Sequence, residues 1–407
     1  MKRSFPLLFL FVLLHHTCFS QEVKPQIAPY VNFINQQNTS AKDYILGLFK
    51  KYDVVILCER EHPEITQYDL IYDVVSSPYF QKNVGTIFTE VGSYSNRKNT
   101  LGFTKTKFTN DSLKQLRQAE VYRNGFFPMW NNTNFYNFTG KLNSLNNRLR
   151  KNGQINLLTC GSKNPTSGER KSLEGMKKYV RENFVGRDSL MASYIIQSYD
   201  SICKNSTRKK ALVIMNYRHA FSKNLLSGGS NVGTFIFDRY PGKVANVYIN
   251  HVAYTDKADE RQKDKPKVFQ GSQQVPIQDG KWDASFKIAG KENIGFDFTD
   301  SPFGKEHLDI WADTTANYRY QDIFTGFVFY LPLEKHKISF GVKNFFYGVN
   351  FEEMVNEWNL FYKALGKNEE KKYSPEFQDA VTKEASTIRV MEYSDLKKYE
   401  EIINKWL

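Results

Sequence analysis

Cysteine is scarce in this 407-residue chain: there are four, Cys18, Cys58, Cys160 and Cys203, and no two are spaced as Cys-x-x-Cys. Zinc ribbons and dithiol redox centres depend on that spacing, so neither class is indicated. Long apolar runs are also missing. Beyond a short stretch at 6–14, nothing approaches the roughly 20 apolar residues that a membrane-spanning helix needs. No Gly-x-Ser-x-Gly occurs, which removes the serine elbow of α/β-hydrolases, and no His-Glu-x-x-His pair of metal ligands is present. Internal repeats and low-complexity tracts are absent too. Acid is outnumbered, with 56 Lys and Arg against 43 Asp and Glu for a net charge of +13. Those charges are interleaved, as in Asp256-Lys257-Ala258-Asp259-Glu260-Arg261, so they read as solvated surface and not as a nucleic-acid footprint.

The N-terminus carries a processing signal. Lys2 and Arg3 precede the apolar stretch, and Cys18-Phe19-Ser20 before Gln21 puts small residues at the −3 and −1 cleavage positions. Residues 1–20 are therefore expected to be removed, leaving an exported protein, periplasmic or secreted, with no transmembrane segment. Lipidation at Cys18 is the weaker alternative, because His15, His16 and Thr17 make a poor lipobox. Export also argues against nucleic acid as a partner. The three remaining cysteines cannot all pair within the chain; Cys58 and Cys160 each end an apolar run, where the commoner role is that of a small buried residue.

Strand-length apolar runs alternate with helical patterns. Strands are expected near 54–57, 84–88, 155–159, 211–215, 234–237, 244–249, 293–298 and 326–330, and helices near 40–51, 64–76, 111–120, 138–150, 172–183 and 187–204. This alternation predicts an α/β fold: a mixed, largely parallel sheet flanked by helices on both faces. The antiparallel part is expected from a hairpin joining 234–237 to 244–249 through Tyr240-Pro241-Gly242-Lys243. One domain over 21–350 would carry a polar insertion near 256–282, followed by a C-terminal helical appendage at 351–407.

Against this background three motifs stand out, each at the end of an apolar strand. They are Cys58-Glu59-Arg60-Glu61-His62, the lone Glu90, and Asn216-Tyr217-Arg218-His219. Carboxyl ends of neighbouring strands in an open α/β sheet line one crevice, so distant residues converge there. Taken singly, a Glu or His after a strand is commonly a helix N-terminal residue or a satisfied polar group at the sheet rim. The combination, with Glu59 and His62 three residues apart, points instead to a tuned acid–base site.

Together with Gly186-Arg187-Asp188-Ser189-Leu190-Met191-Ala192 opening a helix, the order Glu-x-x-His, Glu, Asn-x-x-His resembles the erythromycin esterase family. That family belongs to a superfamily with haem-binding iron-regulated lipoproteins, TraB-like proteins and Tiki-type proteases. The likeness spans roughly 42–254, and the motifs depart from the family pattern at Cys58, Arg60, Glu61 and Pro63, and at Ser193-Tyr194. It implies a hydrolase. His62 would take a proton from water attacking an ester or related carbonyl, with Glu59 and Glu90 orienting it, Arg187 stabilising negative charge and His219 protonating the leaving group. Trp130 and Tyr136, in an aromatic and Asn-rich stretch, and Asp297 are candidate contacts to a small-molecule or glycosidic substrate. No cofactor is required. Two alternatives stay open: a divalent metal such as Zn or Mn on Glu59, His62, Glu90 and His219, as Tiki-type proteases imply, or a non-catalytic envelope protein binding haem or another ligand.

Overall fold

A computed structural model describes residues 23–127, 130–225, 230–258, 272–310, 317–367 and 370–407. The expected export signal, and residues 259–271 of the expected insertion, lie outside the described residues. Eleven strands are described, in chain order β1 (Val54–Glu59), β2 (Thr86–Ser93), β3 (Asn156–Gly161), β4 (Ala211–Asn216), β5 (Val244–Ile249), β6 (Val252–Ala258), β7 (Ser272–Pro276), β8 (Ile294–Asp297), β9 (Gly326–Phe329), β10 (Ile338–Phe340) and β11 (Arg389–Met391). Seven form one sheet in the order β3-β2-β4-β1-β5-β9-β8. All neighbours in it are parallel except β8 and β9.

Every residue of β1, β4 and β5 is buried, because helices cover both faces and each strand must be apolar on both. Val54, Ile56 and Cys58 join Val213 and Met215 on one face, under the helices Ala28–Gln36, Arg187–Asn205 and Lys281–Ala289. Val55 and Leu57 join Leu212 and Ile214 on the other, under Ala41–Lys51, Thr66–Val75, Thr133–Asn146 and Phe351–Ala364. The fold is thus α/β with a mixed, largely parallel sheet and C-terminal helices. Among the described residues no helix is long and apolar enough to cross a membrane.

The expected strand at 234–237 is instead part of the helix Val232–Arg239. Asn231 caps it, accepting from the Thr234 amide at 3.1 Å, and Val232 and Ile236 present a buried stripe at i, i+4. Capping and helical periodicity outweigh the strand preference of Thr234-Phe235-Ile236-Phe237. The sheet's antiparallel member comes from β8. In the expected insertion, β6 and β7 pair antiparallel, and Trp282 is buried at the start of the helix Lys281–Ala289. The C-terminal segment is not purely helical: β11 pairs with β10, which in turn bridges Glu64 and Asn132.

Candidate functional site

Of three adjacent strands, β4 and β1 end at Asn216 and Glu59, level in the parallel register, and β2 carries Glu90 three residues before its end. Glu90 sits where the pairing of β2 with β3 shifts between Thr89 and Ser93. Two glycines permit that irregularity. Gly92 has φ of +103°, and a Cβ on Gly161 would meet the Glu90 carbonyl oxygen at 2.5 Å. A side chain at position 161 would push against the Glu90 backbone, and one at position 92 would be strained by its φ and meet Thr159.

His62 stands on the loop after β1, and that loop is tied from several sides. The fully buried Arg60 donates to the Asn250 carbonyl and side-chain oxygens, both at 2.7 Å, and to Glu64 at 3.0 Å. Gln67 accepts from the Arg60 amide, and Asn134 donates to the His62 carbonyl oxygen. Glu61 accepts from Tyr254 and Gln274 of the β6–β7 hairpin, at 2.8 and 2.7 Å. The residues that depart from the family pattern, Arg60 and Glu61, are therefore scaffold for this loop. Asn134 serves the same purpose and is not exposed to a ligand.

The site is built as two histidine–carboxylate pairs around a third carboxylate. His62 Nδ1 lies 2.8 Å from Glu59 Oε2, whose other oxygen accepts from Tyr68 at 2.7 Å. His219 Nδ1 lies 2.8 Å from Asp188 Oδ2. A carboxylate only accepts, so both Nδ1 atoms carry protons and both Nε2 atoms turn to Glu90. His62 Nε2 is 3.6 Å from Glu90 Oε1 and His219 Nε2 is 3.3 Å from Glu90 Oε2. Arg187, first residue of its helix, reaches Glu90 Oε2 at 3.8 Å and His219 Nε2 at 3.4 Å. The Asn216 amide donates to Glu90 Oε1 at 2.5 Å. Glu90 Oε2 is buried without a hydrogen-bond partner, which marks the centre of the cluster as the place for a polar reactant atom.

Charge follows geometry. Burial pushes the Glu90 carboxyl up, but His219, His62 and Arg187 with the Asn216 amide outweigh it and hold the group down at about 2. Glu90 is therefore ionised at neutral pH. Burial works to lower His62, yet Glu59 and then Glu90 reverse the effect and raise it above its ordinary value, with Arg187 opposing. Cys58, for which a nucleophilic role is the rarer one, is fully buried and its thiol is pushed well up by burial.

Beside the cluster a cleft of about 220 Å³ is lined by Glu90, Arg187, Phe126, Phe127, Trp130 and Phe184, with further small residues. Trp130 stacks on Phe126 at 5.3 Å between ring centres and lies 4.9 Å from the His62 ring. The structure thus gathers Glu59, His62, Glu90, Arg187, His219 and Trp130 and leaves out two expected residues. Tyr136 lines a separate recess with Asp111, Lys114 and Lys343, because Phe135 and Phe138 take the inward stripe of its helix. Asp297 lies at the opposite rim of the sheet. It ends the one antiparallel strand, level with Gly326 at the start of β9, and accepts from Tyr44 at 2.7 Å. Asp188 and Tyr68 were not among the expected site residues. An Asp in a helix's first turn reads as an N-terminal residue, and a Tyr on an apolar stripe reads as core.

No protein-family model and no curated protein match the chain. Solved structures resemble it distantly. A succinoglycan biosynthesis protein aligns over 75% of this chain and 96% of its own, at 11% identity and a TM-score of 0.47. The erythromycin esterase EreC in its open conformation aligns over 75% and 95%, at 9% identity and 0.44. The haem-binding ChaN of Campylobacter jejuni aligns over 53% and 86%, at 13% identity and 0.30. Likenesses this distant leave the function to be argued from the site itself.

Proposed function

We propose that the chain is a hydrolase that activates water against an ester or related carbonyl. The observation that carries this proposal is the pair of histidines, each pinned at Nδ1 by its own carboxylate and each turning Nε2 toward Glu90, His62 to Oε1 and His219 to Oε2. His62 Nε2 accepts a proton from water held beside Glu90, and Glu59 stabilises the imidazolium that forms. Arg187, 31% exposed at the mouth of the cleft, faces the negative charge that develops on the carbonyl oxygen. His219, held by Asp188, gives an Nε2 proton to the leaving group and regains one from solvent, while His62 releases to solvent the proton it took from water. The aromatic wall of Phe126, Phe127, Trp130 and Phe184 suits a substrate with an apolar or ring-bearing body.

A divalent cation such as Zn or Mn also fits part of the cluster. Ligand atoms of Glu59, His62 and Glu90 all lie within 4.8 Å of one another, and a metal-binding histidine whose other nitrogen is held by a carboxylate is a common arrangement. Arg187 opposes it by placing positive charge at Glu90. When bound, such a cation would supply Lewis acidity, with Glu59, His62 and Glu90 as its holders.

The test is turnover of a panel of activated aryl and alkyl esters by wild-type protein and Glu90→Gln, before and after chelation. Loss of one preorganised charged group should lower kcat/KM by about 10²–10³-fold. Full activity in folded Glu90→Gln would overturn the proposed site, and loss on chelation restored by Zn or Mn would replace histidine base catalysis by the metal form.

A further inference from the structure

We propose that a second recess, walled by the helices Lys281–Ala289 and Leu396–Asn404 and the turn after β9, binds a small organic cation with an apolar body. The recess holds about 360 Å³, within the range of small-ligand pockets. Its apolar wall is Phe286, Phe329, Pro332 and Ile403. Phe286 and Phe329 lie face to face at 3.9 Å and 6° between planes, a rigid aromatic surface.

Asp283 supplies the polar anchor. It contributes to the wall, is only 8% exposed, and its Oδ1 is buried with no hydrogen-bond partner. A carboxylate in the first turn of a helix normally finds backbone amides there. This oxygen finds none, so an unpartnered acceptor is buried in a residue of the recess wall, within reach of a donor that seats against it.

The remaining charges decide the sign of the ligand. Lys335 is held by Glu292 at 2.7 Å, and Lys291 is taken up by the carbonyl oxygens of Ile34, Asn35 and Gln37 beyond the helix Ala28–Gln36. The lining then carries Asp283, Glu292, Glu334 and Glu400 against Lys287, Lys291 and Lys335, an excess of one acid, with the Lys291 ammonium turned away to those carbonyl oxygens. An anion would be repelled, and a primary ammonium group would both donate to Asp283 and offset the excess of acid. Burial and then Glu334 push the Asp283 carboxyl up to about 7, with its own amide and Arg60 opposing. The groups around it are Lys287 on its own helix, Glu334 and Lys335 in the turn, Glu400 on the C-terminal helix, Lys291 and Glu292 after the helix, and Arg60 beyond. A cation stabilises the charged form, so its affinity should rise as pH passes upward through 7. This recess shares no residue with the cleft beside Glu90, so it stands apart from the hydrolase proposal.

Calorimetry with three ring compounds of equal shape tests this: benzylammonium, benzyl alcohol and benzoate, at about pH 6 and pH 8. The ammonium should bind, more tightly at the higher pH, with the alcohol about tenfold or more weaker and benzoate not measurable. Asp283→Asn should remove that preference while melting at or above the wild-type temperature. Glu334→Gln, on the exposed turn, should weaken binding partly and provides the same readout should Asp283→Asn not fold. Equal binding of all three compounds, no binding of the ammonium, or undiminished ammonium binding by Asp283→Asn or Glu334→Gln would overturn the proposal.

Discussion

Replacing His62 by alanine is expected to lower kcat/KM for any ester the protein hydrolyses by about 10²–10⁴-fold, the usual contribution of a positioned general base. The fold should survive. The side chain is 21% exposed and stands at the rim, while the backbone of its loop is held by Arg60, Gln67 and Asn134. Two observations support His62 as the proposed base. Its Nδ1 is fixed by Glu59, which has Tyr68 behind it, and its Nε2 is left to face Glu90 and the cleft. His219→Ala provides the internal control: loss of leaving-group protonation should be severe for alkyl esters and mild for esters with acidic phenol leaving groups, which need no proton. Folded His62→Ala with unchanged turnover would move the base elsewhere; an aryl-ester loss as large for His219→Ala as for His62→Ala would remove the division of labour between the two.

Arg60→Ala should destabilise the protein by about 3–5 kcal/mol, as expected when one partner of a buried ion pair is removed. Arg60 and Glu64 are both fully buried. Without the guanidinium, the Glu64 carboxylate keeps only the amides of Thr66, Gln67 and Lys337 and the Thr66 hydroxyl, and Asn250 loses two donors. That is a large share of the roughly 5–15 kcal/mol that separates folded from unfolded chains. Urea unfolding of Arg60→Ala, Glu64→Gln and the double variant forms the check. The double variant should recover much of the loss, since an uncompensated charge costs more than an absent pair. A loss below about 1 kcal/mol in Arg60→Ala would show the pair to be solvated in practice.

The central residues were legible in the sequence for a topological reason. Parallel strands place all their carboxyl ends on one rim, so polar residues ending apolar runs, as Glu59, Glu90 and Asn216 do, fall together whatever their separation in the chain. The same rule misleads where a strand reverses. Asp297 ends an apolar run like the others, but β8 runs antiparallel and delivers it to the far rim. Which strand reverses is decided by pairing partners, and no local pattern states it. Thr234-Phe235-Ile236-Phe237 failed differently, because a β-branched, aromatic tetrapeptide fits a strand until the Asn231 cap and the spacing of Val232 and Ile236 are weighed. Asp188 was hidden in plain view, its role as partner to His219 depending on a contact 31 residues away. Three-residue β10 and β11 carry no periodicity long enough to read.

Those two short strands have a consequence for when the site comes into being. The loop bearing His62 is hydrogen-bonded to the segment at β10, through the Pro63 carbonyl oxygen to Ser339 and the Ile65 amide to Lys337, and β10 is closed on its other side by β11. During synthesis, Glu59 and Glu90 emerge early and the sheet that carries them can assemble around β1, β2 and β4. The strand that closes β10, Arg389–Met391, follows more than 300 residues after that loop. A growing chain therefore holds Glu59 and Glu90 well before the loop bearing His62 gains this support, and the crevice is completed by a segment far along the chain from the strands that line it.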